Sequence, residues 1–141
     1  MTAMEPVRFV VTQEMLDDFG RVGGGSGAIH TDPEVARPLF GGTIAQAMFL
    51  LDPVVQRMVG LSGLDLWYAR GRLEAKFVGN TLAGETVTIV GTVTGTRTDG
   101  GVTMADCRFT ATAGDDERTV LVAEATGPFV GPAPTAAQED A

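Results

Sequence analysis

The sequence contains very few of the residues that form disulfides and metal sites. Among its 141 residues there is one cysteine, Cys107, and one histidine, His30. A single cysteine cannot close an intramolecular disulfide, and a zinc site built from cysteines or histidines needs several of them. We therefore expect no metal site, and the cysteine usage is typical of a reducing compartment such as the cytoplasm. We expect no cofactor either.

Basic residues and long apolar runs are scarce as well. The chain has 10 Lys plus Arg against 18 Asp plus Glu, which gives a net charge of −8. Such a surface repels phosphate backbones and anionic lipids, so we expect neither nucleic acid nor a membrane as a partner. The longest apolar segment, residues 44–51, is much shorter than the ~18 residues of a membrane span, and the N-terminal residues lack a signal-peptide pattern, so we expect a cytoplasmic protein.

The first forty residues predict one strand and two short helices. Thr12 and Asp32 are suitable N-caps, and Pro33 is favoured at the first position of a helix. The predicted elements are a strand over 7–11, a helix over 13–19, a glycine-rich loop over 23–27 and a helix over 33–37.

Residues 43–60 form the most apolar part of the chain. Apolar residues lie on nearly all sides of a helical projection, which predicts a buried helix. Pro53 removes one backbone hydrogen bond within this segment and so predicts a kink or a break near Asp52. Because one small sheet cannot cover such a helix on every side, we expect a homodimer in which the two sheets run on continuously.

Alternating apolar and polar residues in the second half predict strands with one packed face. The predicted strands cover 66–78, 86–96, 102–113 and 118–126, the last of them central, and Asp99-Gly100-Gly101 is a strong hairpin signal. Together with the buried helix they predict an α+β fold, a curved antiparallel sheet wrapped around one long central helix. We expect a single domain over 1–130 and a disordered tail over 131–141.

The stretch G-G-G-S-G-A-I-H-T-D-P-E-V-A, residues 23–36, carries a family resemblance. It resembles the signature of the MaoC-like (R)-specific enoyl-thioester hydratase/dehydratase family, approximately S-G-D-x-N-P-I-H followed after five residues by a small one. Ile29 and His30 match this pattern, and Ala36 is the small residue. Residues 40–51 and 72–93 look like the family's central-helix start and its third and fourth strands. The resemblance covers roughly residues 5–130 and implies the hotdog fold.

The sequence departs from the family pattern at the catalytic loop. Where the family has an aspartate that works with the histidine, this chain has Gly25, and Gly27 and Ala28 replace an asparagine and a proline. Glycine has no side chain that can transfer a proton. If Gly25 faces the same cleft as His30 and leaves a gap there, Gly25→Asp is expected to restore or raise hydration. The nearby acids, Asp17, Asp18, Asp32 and Glu34, are better explained as solvated charges or helix caps than as a replacement.

The resemblance implies that two parts of the family's site are still present in this chain, although the aspartate is not. His30 can act as a general acid or base, because imidazole titrates near neutral pH. Backbone N–H groups of Gln46 and Ala47, at the start of the central helix, match the family's donors to the thioester carbonyl. Alternatively, His30 is a structural histidine that satisfies a buried loop.

The resemblance implies an acyl-thioester enzyme, a lyase acting on an enoyl or 3-hydroxyacyl group carried by coenzyme A or acyl carrier protein. The expected reaction is hydration, dehydration or related His30-dependent proton transfer. Two alternatives remain. One is thioester hydrolysis or conjugate addition on the same scaffold. The other is a catalytically degenerate subunit that binds acyl chains or completes a dimer with an active homologue.

Overall fold

Strands with alternating apolar residues form one antiparallel sheet of six strands. The computed structural model of the chain describes residues 1–130. The sheet order is β1-β4-β5-β6-β3, and β2 also pairs with β4. The strands are β1 (Thr2–Ala3), β2 (Val7–Val10), β3 (Arg72–Phe77), β4 (Thr86–Asp99), β5 (Val102–Ala113) and β6 (Arg118–Pro128). The predicted hairpin at 99–101 is confirmed, since Gly100 and Gly101 both have positive φ between β4 and β5. The central position of the last strand, β6, is confirmed as well.

Five helices complete the fold. They are α1 (Gln13–Gly23), α2 (Ala28–Thr31), α3 (Pro33–Phe40), α4 (Ala47–Ser62) and α5 (Leu64–Arg70). Both predicted N-caps are confirmed, because Thr12 accepts a hydrogen bond from the Met15 N–H and Asp32 accepts one from the Glu34 N–H. The α+β architecture is therefore the predicted one. The tail expected to be disordered, 131–141, lies outside the described residues.

Helix α4 provides most of the helical contribution to the core. Its buried residues include Leu50, Val54, Met58 and Leu61, which follow one another at helical spacing and pack with the inner face of the sheet. Of the predicted kink or break near Asp52, the break is wrong, because the helix continues past Pro53. Packing compensates for the hydrogen bond that proline cannot make, since residues on both sides of it are anchored in the core.

The strand predicted over 66–78 is wrong in its first part. Residues 64–70 form helix α5, and the strand begins only at Arg72. Alternation over five residues does not distinguish a strand from a short helix. Trp67 is the buried residue of α5, and its ring lies against Gly127 of β6, where an added Cβ would be 3.1 Å from Trp67 Cε3.

No helix among residues 1–130 is both long enough and apolar enough to cross a bilayer.

Candidate active site

The extended segment Thr43–Gln46, which leads into α4, holds the site together. On one side the Ile44 N–H donates to the Ile29 carbonyl at 3.0 Å. On the other side the Ala45 N–H donates to the Thr81 carbonyl at 2.8 Å. The segment therefore joins helix α2 to the turn that precedes β4. Because the segment is extended, α4 begins at Ala47, four residues later than the apolar pattern predicted.

His30 lies on α2 with its side chain against this segment. The ring nitrogen Nδ1 is 2.7 Å from the Ile44 carbonyl oxygen. Because a carbonyl oxygen can only accept, Nδ1 is the nitrogen that carries the proton in the neutral ring. The other nitrogen, Nε2, makes no hydrogen bond within residues 1–130. It is therefore the atom that is able to take up or return a proton.

A cleft of about 590 Å³ opens beside His30. Its walls come from α2, the start of α4 and the chain that follows β3, and include His30, Ala47, Leu50, Phe77, Asn80 and Thr81. Of the residues that line it, all within 1–130, His30 is the one with an ionisable side chain. Proton transfer by a side chain in this cleft therefore depends on a single imidazole.

The start of α4 reaches the same cleft. Gln46 is the N-cap residue, but its side chain makes no capping hydrogen bond. The first N–H groups of a helix have no acceptor within the helix, and they concentrate positive potential at its N-terminus. Ala47, the first helical residue, is exposed and lines the cleft. The Gln46 side chain is directed elsewhere and does not line the cleft.

Gly25 does not leave the gap that was expected. The Gln46 side chain is 4% exposed, and its Nε2 donates to the carbonyls of Gly25 and Leu16, each at 2.9 Å. A Cβ added at Gly25 would lie 2.6 Å from Gln46 Cγ, and Gly25 has φ +79°. Gly25 is not a lining residue of the His30 cleft. The expectation of a vacant carboxylate position facing His30 is therefore wrong.

Gly27 has a different setting. An added Cβ there would contact nothing within 4 Å. The Gly27 carbonyl accepts the His30 N–H at 3.0 Å and the Thr31 hydroxyl at 3.1 Å. This position therefore contributes its backbone, and it starts the helix that carries His30.

The other acids named from the sequence serve structural roles. Asp32 caps α3, Asp17 accepts a hydrogen bond from Gln13, and Asp18 pairs with Arg21 at the surface. Glu34 is exposed. Within the described part of the chain, no group of three or more His, Cys, Asp or Glu side chains is arranged to hold a metal ion.

Two groups with shifted pKa values lie on β5, outside the cleft lining. Burial raises the pKa of the Cys107 thiol to about 12, and the neighbouring Asp106 charge adds to this. The hydrogen bond from Arg97 lowers the pKa of Asp106. Both residues belong to β5, so these shifts belong to the sheet rather than to the site.

Comparison with known proteins establishes the architecture. No family model matches the sequence, and no curated protein does. An (R)-hydratase from Pseudomonas aeruginosa superposes with a TM-score of 0.75 at 14% identity, over 92% of this chain and 81% of that one. A MaoC-like dehydratase from Rhodospirillum rubrum gives 0.69 at 22% identity, over 92% of each chain. A (3R)-hydroxyacyl-ACP dehydratase complex from Mycobacterium tuberculosis gives 0.66 at 20%, over 90% and 96%.

The chain has the hotdog fold. The fold that the resemblance implied is confirmed, with α4 as the hotdog helix and the six strands as its sheet. The cleft beside His30 therefore lies at the N-terminal end of the hotdog helix.

Sequence reasoning missed two residues of this region. Gln13 was considered only as the first residue of a helix, and Thr43 as part of an apolar segment. In the structure Gln13 Nε2 donates to the His30 carbonyl at 2.8 Å, and the Thr43 hydroxyl donates to Gln13 Oε1. These partners are 17 and 30 residues apart in sequence, and no local pattern indicates such contacts.

Proposed function

We propose that this hotdog protein is a lyase that adds water to an enoyl thioester and catalyses the reverse dehydration of a 3-hydroxyacyl thioester. The acyl group would be carried by coenzyme A or acyl carrier protein. The observation that carries the proposal is the position of His30, which has Nδ1 tied to the Ile44 carbonyl and lies in a cleft that also includes the first residue of α4. The likeness to hydratases and dehydratases of the same fold supports it.

The start of α4 would bind the thioester carbonyl. When water adds to the β-carbon, negative charge develops on the carbonyl oxygen. The N–H groups at Gln46 and Ala47 would stabilise that charge, because a helix N-terminus favours an anion and the donors are fixed before the reaction begins. Such donors depend on the backbone, so they tolerate the side-chain changes of this chain.

His30 would perform both proton transfers. Nε2 takes a proton from water as the water oxygen bonds to the β-carbon, and the imidazolium then returns a proton to the α-carbon. The sum of the two steps is the addition of one water, with His30 regenerated. One group serves as base and then acid, which fits a cleft where His30 is the one ionisable lining residue.

The His30 imidazole and the N–H groups at the start of α4 would also serve thioester hydrolysis or conjugate addition of another nucleophile.

A second candidate function is that of a non-catalytic subunit. The filled space at Gly25 favours it, because an added side chain at this position would meet the Gln46 side chain. The dehydratase from Mycobacterium tuberculosis is itself a complex of subunits.

We propose in addition that the protein is a cytoplasmic homodimer. Helix α4 keeps apolar surface toward the outside, where Met48 is 58% exposed. Strand β3 pairs with β6 on one side, and its other edge has no partner strand among residues 1–130. An unpaired edge with backbone donors and acceptors is a template for a second strand. A second copy would cover both features.

The test is turnover by the purified 141-residue protein without any partner. Crotonyl-CoA and longer enoyl-CoA substrates are supplied, and loss of the conjugated enoyl thioester is followed by its absorbance. The proposal predicts hydration that is saturable in substrate and is lost in His30→Ala. Binding of the thioester without turnover by the parent protein would overturn the lyase and favour the non-catalytic subunit.

A further inference from the structure

A residue outside the cleft holds His30 in place, and the role given to it rests on the proposed function, because that role is to prepare His30 for proton transfer. The half-buried Gln13 side chain on α1 contacts the backbone of His30. Its Nε2 donates to the His30 carbonyl oxygen at 2.8 Å and to Asp17 Oδ1 at 2.9 Å. An amide nitrogen with two donors is fully used by these two acceptors. The orientation of the Gln13 amide is therefore fixed.

The amide oxygen of Gln13 faces the segment that leads to α4. There it accepts a hydrogen bond from the Thr43 hydroxyl. Thr43 is 2% exposed, so this hydroxyl has no access to bulk solvent as an alternative partner. A buried hydroxyl that loses its partner is left unpaired at a cost in stability, which favours keeping the Gln13 contact.

These contacts close into a ring that includes the imidazole. Thr43 is bonded to Ile44, whose carbonyl oxygen lies 2.7 Å from His30 Nδ1. Gln13 then joins the His30 carbonyl back to Thr43. The His30 backbone, through Gln13, and the His30 ring, directly, are thus both hydrogen-bonded to the same two-residue segment, Thr43–Ile44. Movement of the His30 backbone relative to Thr43 must break one of the two Gln13 contacts.

We propose that Gln13 is a positioning residue for His30, acting with Thr43 to keep the proton on Nδ1 and Nε2 available for the substrate. Gln13 does not line the cleft, so its effect on turnover passes through the imidazole. A residue with a purely structural role would change the stability of the protein. A positioning residue also changes which ring nitrogen carries the proton.

His30 is the sole histidine of the chain, so its ring signals need no assignment. The 141-residue protein is labelled with ¹⁵N-histidine, and the two ring nitrogens are observed by NMR at a pH where the imidazole is neutral. The parent protein is expected to carry the proton on Nδ1. Gln13→Leu and Thr43→Val are expected to show a mixture of both tautomers, whereas Thr43→Ser, which keeps the hydroxyl, is expected to match the parent.

Ser62→Ala is the matched control for the tautomer measurement. Ser62 is buried, at 1% exposure, at the C-terminal end of α4 and outside the cleft lining, and its hydroxyl donates to the Pro128 carbonyl at 2.6 Å. Removing that hydroxyl is expected to leave the His30 tautomer as it is. A change in Ser62→Ala equal to that in Thr43→Val would attribute the effect to the loss of any buried hydroxyl and would overturn the proposal.

Kinetics supply the second readout. Displacing a catalytic group by about 1 Å can cost a factor of a hundred, so we expect Gln13→Leu to lower kcat at least tenfold with a smaller change in KM. If Gln13→Leu does not fold, the comparison of Thr43→Val with Thr43→Ser tests the positioning role. Folded variants with the parent's tautomer would overturn the proposal. A shifted tautomer in a protein that never turns over thioesters would leave the positioning role intact and refute the lyase.

Discussion

The Gln46 side chain occupies the space that a side chain at Gly25 would need. A Cβ on Gly25 would approach Gln46 Cγ to 2.6 Å, while Gln46 Nε2 donates to the Gly25 carbonyl at 2.9 Å. The glycine loop is thereby bound tightly to the start of α4. The long Gln46 side chain at the start of the helix fills the space that the absence of a side chain at Gly25 leaves in the loop.

This contact reverses the expected effect of Gly25→Asp. The substitution is expected to destabilise the protein by about 1–3 kcal/mol, because it overpacks a filled site and places a side chain at φ +79°. It is not expected to raise hydration. Urea unfolding of Gly25→Asp, Gln46→Ala and the double variant gives the coupling free energy between the two positions. Additive losses in the double variant would show that the two side chains do not compete for one space.

Cys107 is expected to be inert toward thiol reagents in the native protein. It is 3% exposed, and burial raises the pKa of its thiol to about 12, so very little of the reactive thiolate is present. A disulfide exchange reagent at neutral pH should modify it only after unfolding in urea. Because the chain has a single cysteine, the stoichiometry of modification is read directly. Rapid modification of the native protein would contradict the burial of the Cys107 side chain in β5.

The same thiol predicts a loss of stability at alkaline pH. The pKa of a cysteine in an unfolded chain is about 8.5, below the folded value of about 12. Between these values the unfolded chain has released the proton and the folded chain has kept it, so the free energy of unfolding falls as the pH rises. Urea midpoints from pH 8 to 10 are expected to fall more steeply in the parent than in Cys107→Ala. Equal slopes in the two proteins would show that the thiol ionises equally well in both states.

The edge of β3 that has no partner strand among residues 1–130 predicts the register of the homodimer. Antiparallel pairing of β3 with its copy about Ala75 places each Glu74 opposite Lys76 of the partner subunit, and opposite charges across strands are favourable. Pairing centred on Glu74 would instead oppose two glutamates. We expect sedimentation at twice 14.7 kDa for the parent. Glu74→Lys and Lys76→Glu should each weaken the dimer, and the double exchange should restore it.

A monomer of the parent protein at micromolar concentration would contradict the dimer. Failure of the double charge exchange to restore a dimer that both single changes weaken would contradict the register alone.

Local signals in the sequence predicted much of the fold. The N-caps Thr12 and Asp32 and the hairpin at 99–101 depend on neighbouring residues, and these features are present in the structure. Helix α5 was predicted as strand because five alternating residues fit either period and the deciding contact, between Trp67 and Gly127, joins distant parts of the chain.

The site was predictable only in outline. His30 and the start of α4 follow from a motif, but their arrangement depends on contacts between distant residues. The contact of Gln46 with Gly25 spans 21 residues, and that of Thr43 with Gln13 spans 30. Neither has a fixed spacing that a sequence pattern could reveal. The prediction of a vacant position at Gly25 was wrong because it considered the loop without the helix that packs on it.

The most direct test of the proposed function is the turnover of crotonyl-CoA by His30→Ala against a matched variant of the same helix, Thr31→Ala. Thr31 bonds only to carbonyls of the glycine loop and does not line the cleft. Loss of a general acid–base group costs about a hundredfold or more in rate, so His30→Ala should lose at least that factor in kcat/KM while remaining folded, with a thermal midpoint lowered only by the lost hydrogen bond to Ile44. Thr31→Ala should retain activity within a few-fold. Equal activity of His30→Ala and the parent protein would contradict the account.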